Sequence, residues 1–186
     1  LRCFEDDDIT HVEGHIDPLA DAETVETELM LADLESLEKR RAGLEKRARG
    51  GDKEAKEQLG LVDRALALLR EGKPARRAEL SPEEERGFKA LNLLTSKPVL
   101  YVCNVDEESA ATGNEHTRAV AARAEAEGAG MVVISAKIEA ELAQLDEAER
   151  REYMEALGLE EASLDRLIRA GYDLLGLITF FTAGPK

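Results

Sequence analysis

The sequence predicts an α/β domain with a mostly parallel sheet, interrupted by an antiparallel helical hairpin. Two features carry this. The runs VLYVCN (99–104) and MVVIS (131–135) are short and continuously apolar, with a helical pattern between them. That is the form of parallel strands covered on both faces and joined by a crossover helix. Earlier in the chain, Met30, Leu34, Leu37, Arg41, Leu44 and Ala48 recur at spacings of four and three, and Ala55, Leu59, Val62, Leu66 and Leu69 repeat the rhythm after Gly50 and Gly51. Two such stripes joined by a tight glycine turn read as a helical hairpin or short coiled coil. The stripes are narrow, so the arm is expected to project.

Taken in order, residues 1–4 read as the end of a strand, followed by a polar loop, EDDDITHVEG. A helix is expected from about Asp21. Asp52 is placed to cap the second helix of the hairpin, and Gly72 and Pro74 end it. Ser81, Pro82 and Glu84 form a capping-box start for another helix. The strand over 99–104 follows, then a helix over 114–127 and the strand over 131–135. Two more helices are expected, with Asp146 and Ser163 as caps. Gly176 ends the second, and LITFFTAG (177–184) reads as a final strand. The expected division is 1–18 with 93–186 for the α/β domain and 19–92 for the helical insertion.

Bulk properties narrow the function classes. The chain has 186 residues and is 43% hydrophobic, enough for a packed core. Aromatics make up 4% with no Trp, which argues against stacking platforms for single-stranded nucleic acid. A net charge of −15 argues against a broad DNA-binding surface. The charge is uneven, however. Residues 38–77 hold 13 Lys and Arg against 7 Asp and Glu, a net of +6 on an acidic body. Arg40, Arg41, Arg47 and Arg49 lie in that segment and are the candidates for contact with RNA or another partner. No apolar run reaches the length of a membrane span. Cys3 and Cys103 sit in apolar runs and read as buried free thiols of a reducing, cytoplasmic protein. The chain opens on Leu1 inside a strand-like run, so it is expected to be a piece of a longer protein.

The chemistry concentrates where strands end. Ligands of open α/β sheets bind beyond the carboxyl ends of strands. Asn104 closes the first strand, followed by Val105, Asp106 and Glu107, and its amide can both support the loop and meet a purine edge. After the second strand, Ser135, Ala136 and Lys137 offer backbone N–H groups and an aliphatic lysine stem. Asp6, Asp7 and Asp8 are consecutive, so their side chains diverge. They read as a solvated loop, and no metal site is expected. His15 and His116 read as surface residues.

NVDE (104–107) and SAK (135–137) resemble the fourth and fifth motifs of translation-factor-type P-loop GTPases, in order and on the right strands. Together with FEDDDITHVEG, GGDKEAKE, KPVLYVCNVDE, LDRLIRAGYDLLGL and FFTAGPK, they make the whole chain resemble the Obg-like ATPase family, YchF branch. The resemblance implies a P-loop GTPase-type sheet with a coiled-coil insertion. It also implies ATP preferred over GTP, Mg²⁺ in the intact protein, and association with the ribosome or a stress-related partner. The usual guanine-reading motif is Asn-Lys-x-Asp. Here Val105 replaces the lysine and Glu107 the aspartate, moving the carboxylate away from the guanine-reading position. Losing one positioned polar partner shifts specificity by orders of magnitude. By resemblance, Asn104 and the Val105 backbone contact the adenine. The family also nominates His11 for orienting the attacking water, although an isolated histidine in a polar loop is otherwise simply solvated.

The sequence contains no G-x-x-x-x-G-K-[ST], and its one D-x-x-G, Asp173 to Gly176, falls at the end of the last expected helix. GGDKEAK reads as a hairpin turn, not a phosphate loop. The expectation is an ATP hydrolase seen through its base-recognition half and helical arm, without the family's phosphate loop or C-terminal TGS domain, and inactive in ATP hydrolysis by itself. The rival reading is a non-catalytic module that binds RNA or protein through the basic hairpin.

Overall fold

The structure is a computed structural model that describes residues 1–5, 16–181 and 184. Two compact units divide the chain. Leu1–Asp21 with Val99–Lys186 form one, and Ala22–Pro98 form the other.

The first unit is built on two parallel strands, β1 (Leu100–Asn104) and β2 (Gly130–Ile134), in the register Leu100↔Gly130 to Asn104↔Ile134. The amino-terminal residues run parallel to the end of β1. Asn104 N–H donates to the Leu1 carbonyl at 2.9 Å, and Cys3 N–H donates to the Asn104 carbonyl at 2.8 Å. The crossover between the strands is α4 (Glu115–Glu127), which buries Val120 and Ala124. Its cap, Asn114, works twice: Oδ1 accepts from Thr117 N–H at 3.1 Å, while Nδ2 donates to the Cys3 carbonyl at 2.6 Å. A helix cap thereby ties the first residues of the chain to the sheet. Gly113, just before it, has φ +68, and a Cβ there would lie 2.5 Å from Thr117 Oγ1, so glycine is required. Cys3 and Cys103 are buried free thiols. Cys3 is pushed up by its hydrogen bond to Cys103 and by burial, which keeps it protonated and unreactive at neutral pH.

Next come α5 (Ala136–Leu142), α6 (Glu147–Ala156) and α7 (Ser163–Leu174). Helix α5 is absent from the elements expected from the sequence. At seven residues, α5 is too short for a helical period to stand out. Ser163 is the first helical residue of α7 rather than its cap, a place taken by Ala162. Ser163 is fully buried, and its N–H donates to Glu139 Oε1 at 2.6 Å. That bond draws it into the helix. The expected final strand is also corrected. Residues 177–181 form no strand, and Ile178, Phe180 and Phe181 are exposed. A strand needs ladder partners, and the described residues supply none for this segment.

The second unit contains most of α1 (Pro18–Arg49), all of α2 (Lys53–Arg70), a 3₁₀ turn at Ala75–Arg77 and α3 (Pro82–Lys89). The long helix starts three residues before the expected Asp21, because Asp17 Oδ1 accepts from Leu19 and Ala20 N–H, with Pro18 in the first turn. Within the unit, Arg41 pairs with Asp63, Glu38 with Arg70 and Glu26 with Arg76. Partner numbers fall on one side as they rise on the other, so α1 and α2 run antiparallel. Gly51 at φ +92 makes the turn, and Asp52 Oδ1 caps α2 by accepting from Ala55 N–H at 3.0 Å. Leu37, Leu44 and Ala48 face Ala55, Val62, Leu66 and Leu69 in one core. Helix α2 buries more than its predicted stripe. Leu61 and Ala65 are also covered, because α3 and the 3₁₀ turn pack on that side.

Two polar devices hold this unit. Asp33, 3% exposed, accepts from Leu94 N–H and Thr95 N–H at 2.8 Å and from Thr95 Oγ1 at 2.7 Å. Glu84 accepts from Ser81 N–H at 2.9 Å, as the capping-box pattern predicts, and also takes a two-pronged bond from Arg64 at 2.8 and 2.9 Å. Arg64 first, then the Ser81 N–H, hold the Glu84 carboxyl down to about 2. Its folded value lies below the ordinary 4.5, so ionised Glu84 favours the fold at higher pH, and that contribution fades as pH falls from about 4.5 toward 2. Arg64→Gln is expected to flatten this acid limb. Urea midpoints at about pH 5 and about pH 3 test it, and an unchanged pH slope refutes it.

Candidate functional site

The carboxyl ends of β1 and β2 open onto a cavity of about 650 Å³, lined by Phe4, Glu5, residues 104–108, Ala136 and Lys137. The parallel register places the site, because Asn104 and Ile134 are partners and both following loops leave from the same edge. Asn104 Oδ1 accepts from Ala136 N–H at 2.9 Å, which locks the two loops together. The amide nitrogen of Asn104 is then the group available to a ligand. Val105 is 3% exposed, and its N–H donates to the Ile134 carbonyl at 2.9 Å. Asp106 Oδ1 accepts from Ser109 N–H at 2.8 Å and closes a local turn that holds the loop.

Glu107 and Lys137 face each other across the cavity mouth. Lys137 Nζ lies 2.6 Å from Glu107 Oε1, with side-chain exposures of 72% and 34%. Ser135 is fully buried, and its Oγ accepts from Ile138 N–H at 3.5 Å, so its hydroxyl shapes the loop beneath the cavity lining. Ala136 and Lys137 are exposed. The lining also carries Glu5, Asp106, Glu107 and Glu108 against Lys137. Such a wall suits the hydrogen-bond donors of a base edge and repels phosphates. Nearby, Tyr153 donates to Glu141, a bond that pushes its hydroxyl up to about 12 and keeps it a proton donor at neutral pH.

The predicted residues separate into three groups. Asn104, Val105, Glu107, Ser135, Ala136 and Lys137 come together at one edge of the first unit. His11 lies outside the described residues, as do Asp6, Asp7, Asp8 and His15. The four arginines lie on α1 in the second unit. There Arg41 is paired with Asp63 and Glu45, Arg47 with Asp52, and Arg49 more loosely with Glu45 at 3.9 Å, while Arg40 is exposed. Much of the positive charge is thus already answered inside the hairpin. Sequence reasoning missed Phe4, a wall of the cavity, and the tie from Asn114 to Cys3. Asn114 following Gly113 carried the cap signal, but nothing local pointed to Cys3.

Among the described residues, no helix is long and apolar enough to cross a membrane, and no group of three or more His, Cys, Asp or Glu could hold a metal ion.

No family model matches the chain. Comparison with individual proteins is specific. The chain is 48% identical, over all of its residues, to the ribosome-binding ATPase YchF of Haemophilus influenzae, and 45% identical to that of Bacillus subtilis. It covers 51% of each, so it spans about half the length of the curated relatives it matches. In three dimensions it matches the YchF GTPase of Schizosaccharomyces pombe with a TM-score of 0.84 and 30% identity, over 98% of this chain and 50% of that one. The strand-end loops lie within the matched length, and sequence and fold agree from one end of the chain to the other: along its whole length the chain is similar to about half of a YchF protein.

Proposed function

We propose that this chain carries the base-recognition half and the helical arm of an ATP-preferring P-loop NTPase. In this reading the intact protein, in the cytoplasm, hydrolyses ATP to ADP and phosphate as a ribosome- or stress-associated switch. The observation that carries it is the 2.9 Å bond from Ala136 N–H to Asn104 Oδ1. It joins the two strand-end loops into one cavity and turns the amide nitrogen of Asn104 into a donor for a purine ring nitrogen. The Val105 carbonyl accepts from the adenine amine, and the Lys137 stem lies against the ring. The same bond speaks for adenine, because an N–H already given to Asn104 is not open to the guanine carbonyl. The relatives' names, ribosome-binding ATPase, support the reaction and the partner. Mg²⁺ would sit on the nucleotide phosphates and on residues other than those described, and His11 would orient the attacking water.

The chain itself is expected to bind the base and not turn over ATP. Titration of ¹⁵N-labelled chain with adenosine is expected to move the amides of 104–107 and 135–137 more than guanosine does. No movement at those amides rejects the base site. Steady ATP hydrolysis by the purified chain above contaminant level rejects the predicted inactivity.

The second reading, an RNA- or protein-binding module, rests on the net +6 of residues 38–77. The ion pairs decide how to test it. Reversing Arg41 or Arg47 also breaks bonds within the hairpin, whereas Arg40→Glu and Arg49→Glu leave Arg41–Asp63 and Arg47–Asp52 intact. If the arm meets RNA phosphates, the double variant weakens ribosome association several-fold and lowers its salt dependence. Unchanged co-sedimentation with ribosomes excludes these arginines as the contact.

A further inference from the structure

We propose that Lys137 sets the base preference of this site by holding the Glu107 carboxylate away from the purine edge. The inference rests on the base-site reading above and goes beyond it, because it assigns selectivity to an ion pair rather than to the length of one side chain. Guanine offers two adjacent donors, the ring N1–H and the exocyclic amine, beside a carbonyl acceptor. A carboxylate that reads guanine must keep both oxygens open toward those donors. In this structure Glu107 Oε1 lies 2.6 Å from Lys137 Nζ. The carboxylate is engaged from the opposite loop, and turning it to guanine means breaking the pair.

Adenine reverses the requirement. It has an acceptor at N1, which a free carboxylate repels and a carboxylate neutralised by an ammonium tolerates. The pair therefore acts twice, withholding the acceptor that guanine needs and quenching the charge that adenine avoids. The residues belong to different elements, Glu107 to the loop after β1 and Lys137 to the first turn of α5. The parallel register of β1 and β2 brings them together. The stem of Lys137 packs on either purine alike, whereas its ammonium is the positioning group and selects between them through Glu107. The lysine end is well exposed, so the effect is several-fold rather than hundredfold.

The test uses adenosine and guanosine, which report on the base without phosphates, bound to the whole chain and followed by amide shifts. Lys137→Met is expected to shift the ratio of adenosine to guanosine affinity about fivefold toward guanosine. Lys137→Arg, which can keep the pair, should retain the wild-type ratio. In a Glu107→Gln background, Lys137→Met should no longer shift the ratio, because no carboxylate is left to release. A ratio unchanged within about twofold in Lys137→Met, with adenosine still bound at 104–107 in the wild type, overturns the role of Lys137 and leaves the base site standing. A shift of equal size in the Glu107→Gln background also overturns it, since Lys137 would then act on the base directly. If neither nucleoside moves those amides in the wild type, the base site fails and this proposal falls with it.

Discussion

Replacing Asp33 with alanine is expected to destabilise the helical unit by about 3 to 4 kcal/mol, a large effect for one side chain. Asp33 sits on α1 with 3% of its surface exposed. Its two oxygens accept three hydrogen bonds, from the N–H groups of Leu94 and Thr95 and from the Thr95 hydroxyl. Thr95 passes the connection on, since its Oγ1 accepts from Ala75 N–H at 3.1 Å and its carbonyl accepts from Arg76 N–H at 3.0 Å. One carboxylate thus fixes the long helix, the segment after α3 and the 3₁₀ turn. Alanine removes the acceptor and strands the buried Thr95 N–H and hydroxyl, and this desolvation cost dominates, since the Leu94 N–H is only partly buried. Asp33→Asn keeps one acceptor oxygen and should cost less. Urea unfolding gives the magnitude, and amide exchange at Leu94 and Thr95, which should accelerate sharply, gives the location. A loss under about 1 kcal/mol with slow exchange retained at both amides would mean that the clamp does not hold the unit.

Replacing Asn104 with alanine is expected to weaken adenosine binding by at least about tenfold. The substitution removes the amide nitrogen proposed to meet the purine, and it also frees Ala136 N–H from its 2.9 Å bond and loosens the two loops. Asn104→Asp separates these effects. An aspartate oxygen can still accept from Ala136 N–H, so the loops stay joined, but the donor is lost and a charge joins an already acidic wall. Both variants are expected to lose adenosine, and only alanine should also disturb the Ala136 and Lys137 amides without ligand. Adenosine affinity in Asn104→Asp equal to wild type would remove the amide donor from the site.

Much of the molecule is local and therefore legible in the sequence. The hairpin follows from stripes at spacings of four and three around two glycines, and Asp52, Asn114, Asp146 and the Ser81–Glu84 pair stand where capping chemistry puts them. Strands β1 and β2 follow from continuous apolar runs, and the choice of the two candidate site loops from the rule that such sheets bind at strand ends. These signals span a few residues, within reach of propensity and periodicity.

What the sequence could not determine depends on partners distant along the chain. The length of LITFFTAG and its aromatics favour a strand, yet strands exist by pairing, and 177–181 find no ladder among the described residues. Leu61 and Ala65 lie off the predicted stripe of α2 and are buried because α3 packs on them. Asp33 looks like one more acid on a charged helix until the fold brings Leu94 and Thr95 to it from 61 and 62 residues away. At the site, the sequence supplied Asn104, Glu107, Ala136 and Lys137. Tertiary structure decided that Asn104 Oδ1 is given to Ala136, that the Val105 N–H is spent on Ile134, and that Glu107 faces Lys137. The physical reason is the same each time. A residue's type fixes which bonds it can make, whereas the fold fixes which neighbour arrives to make them.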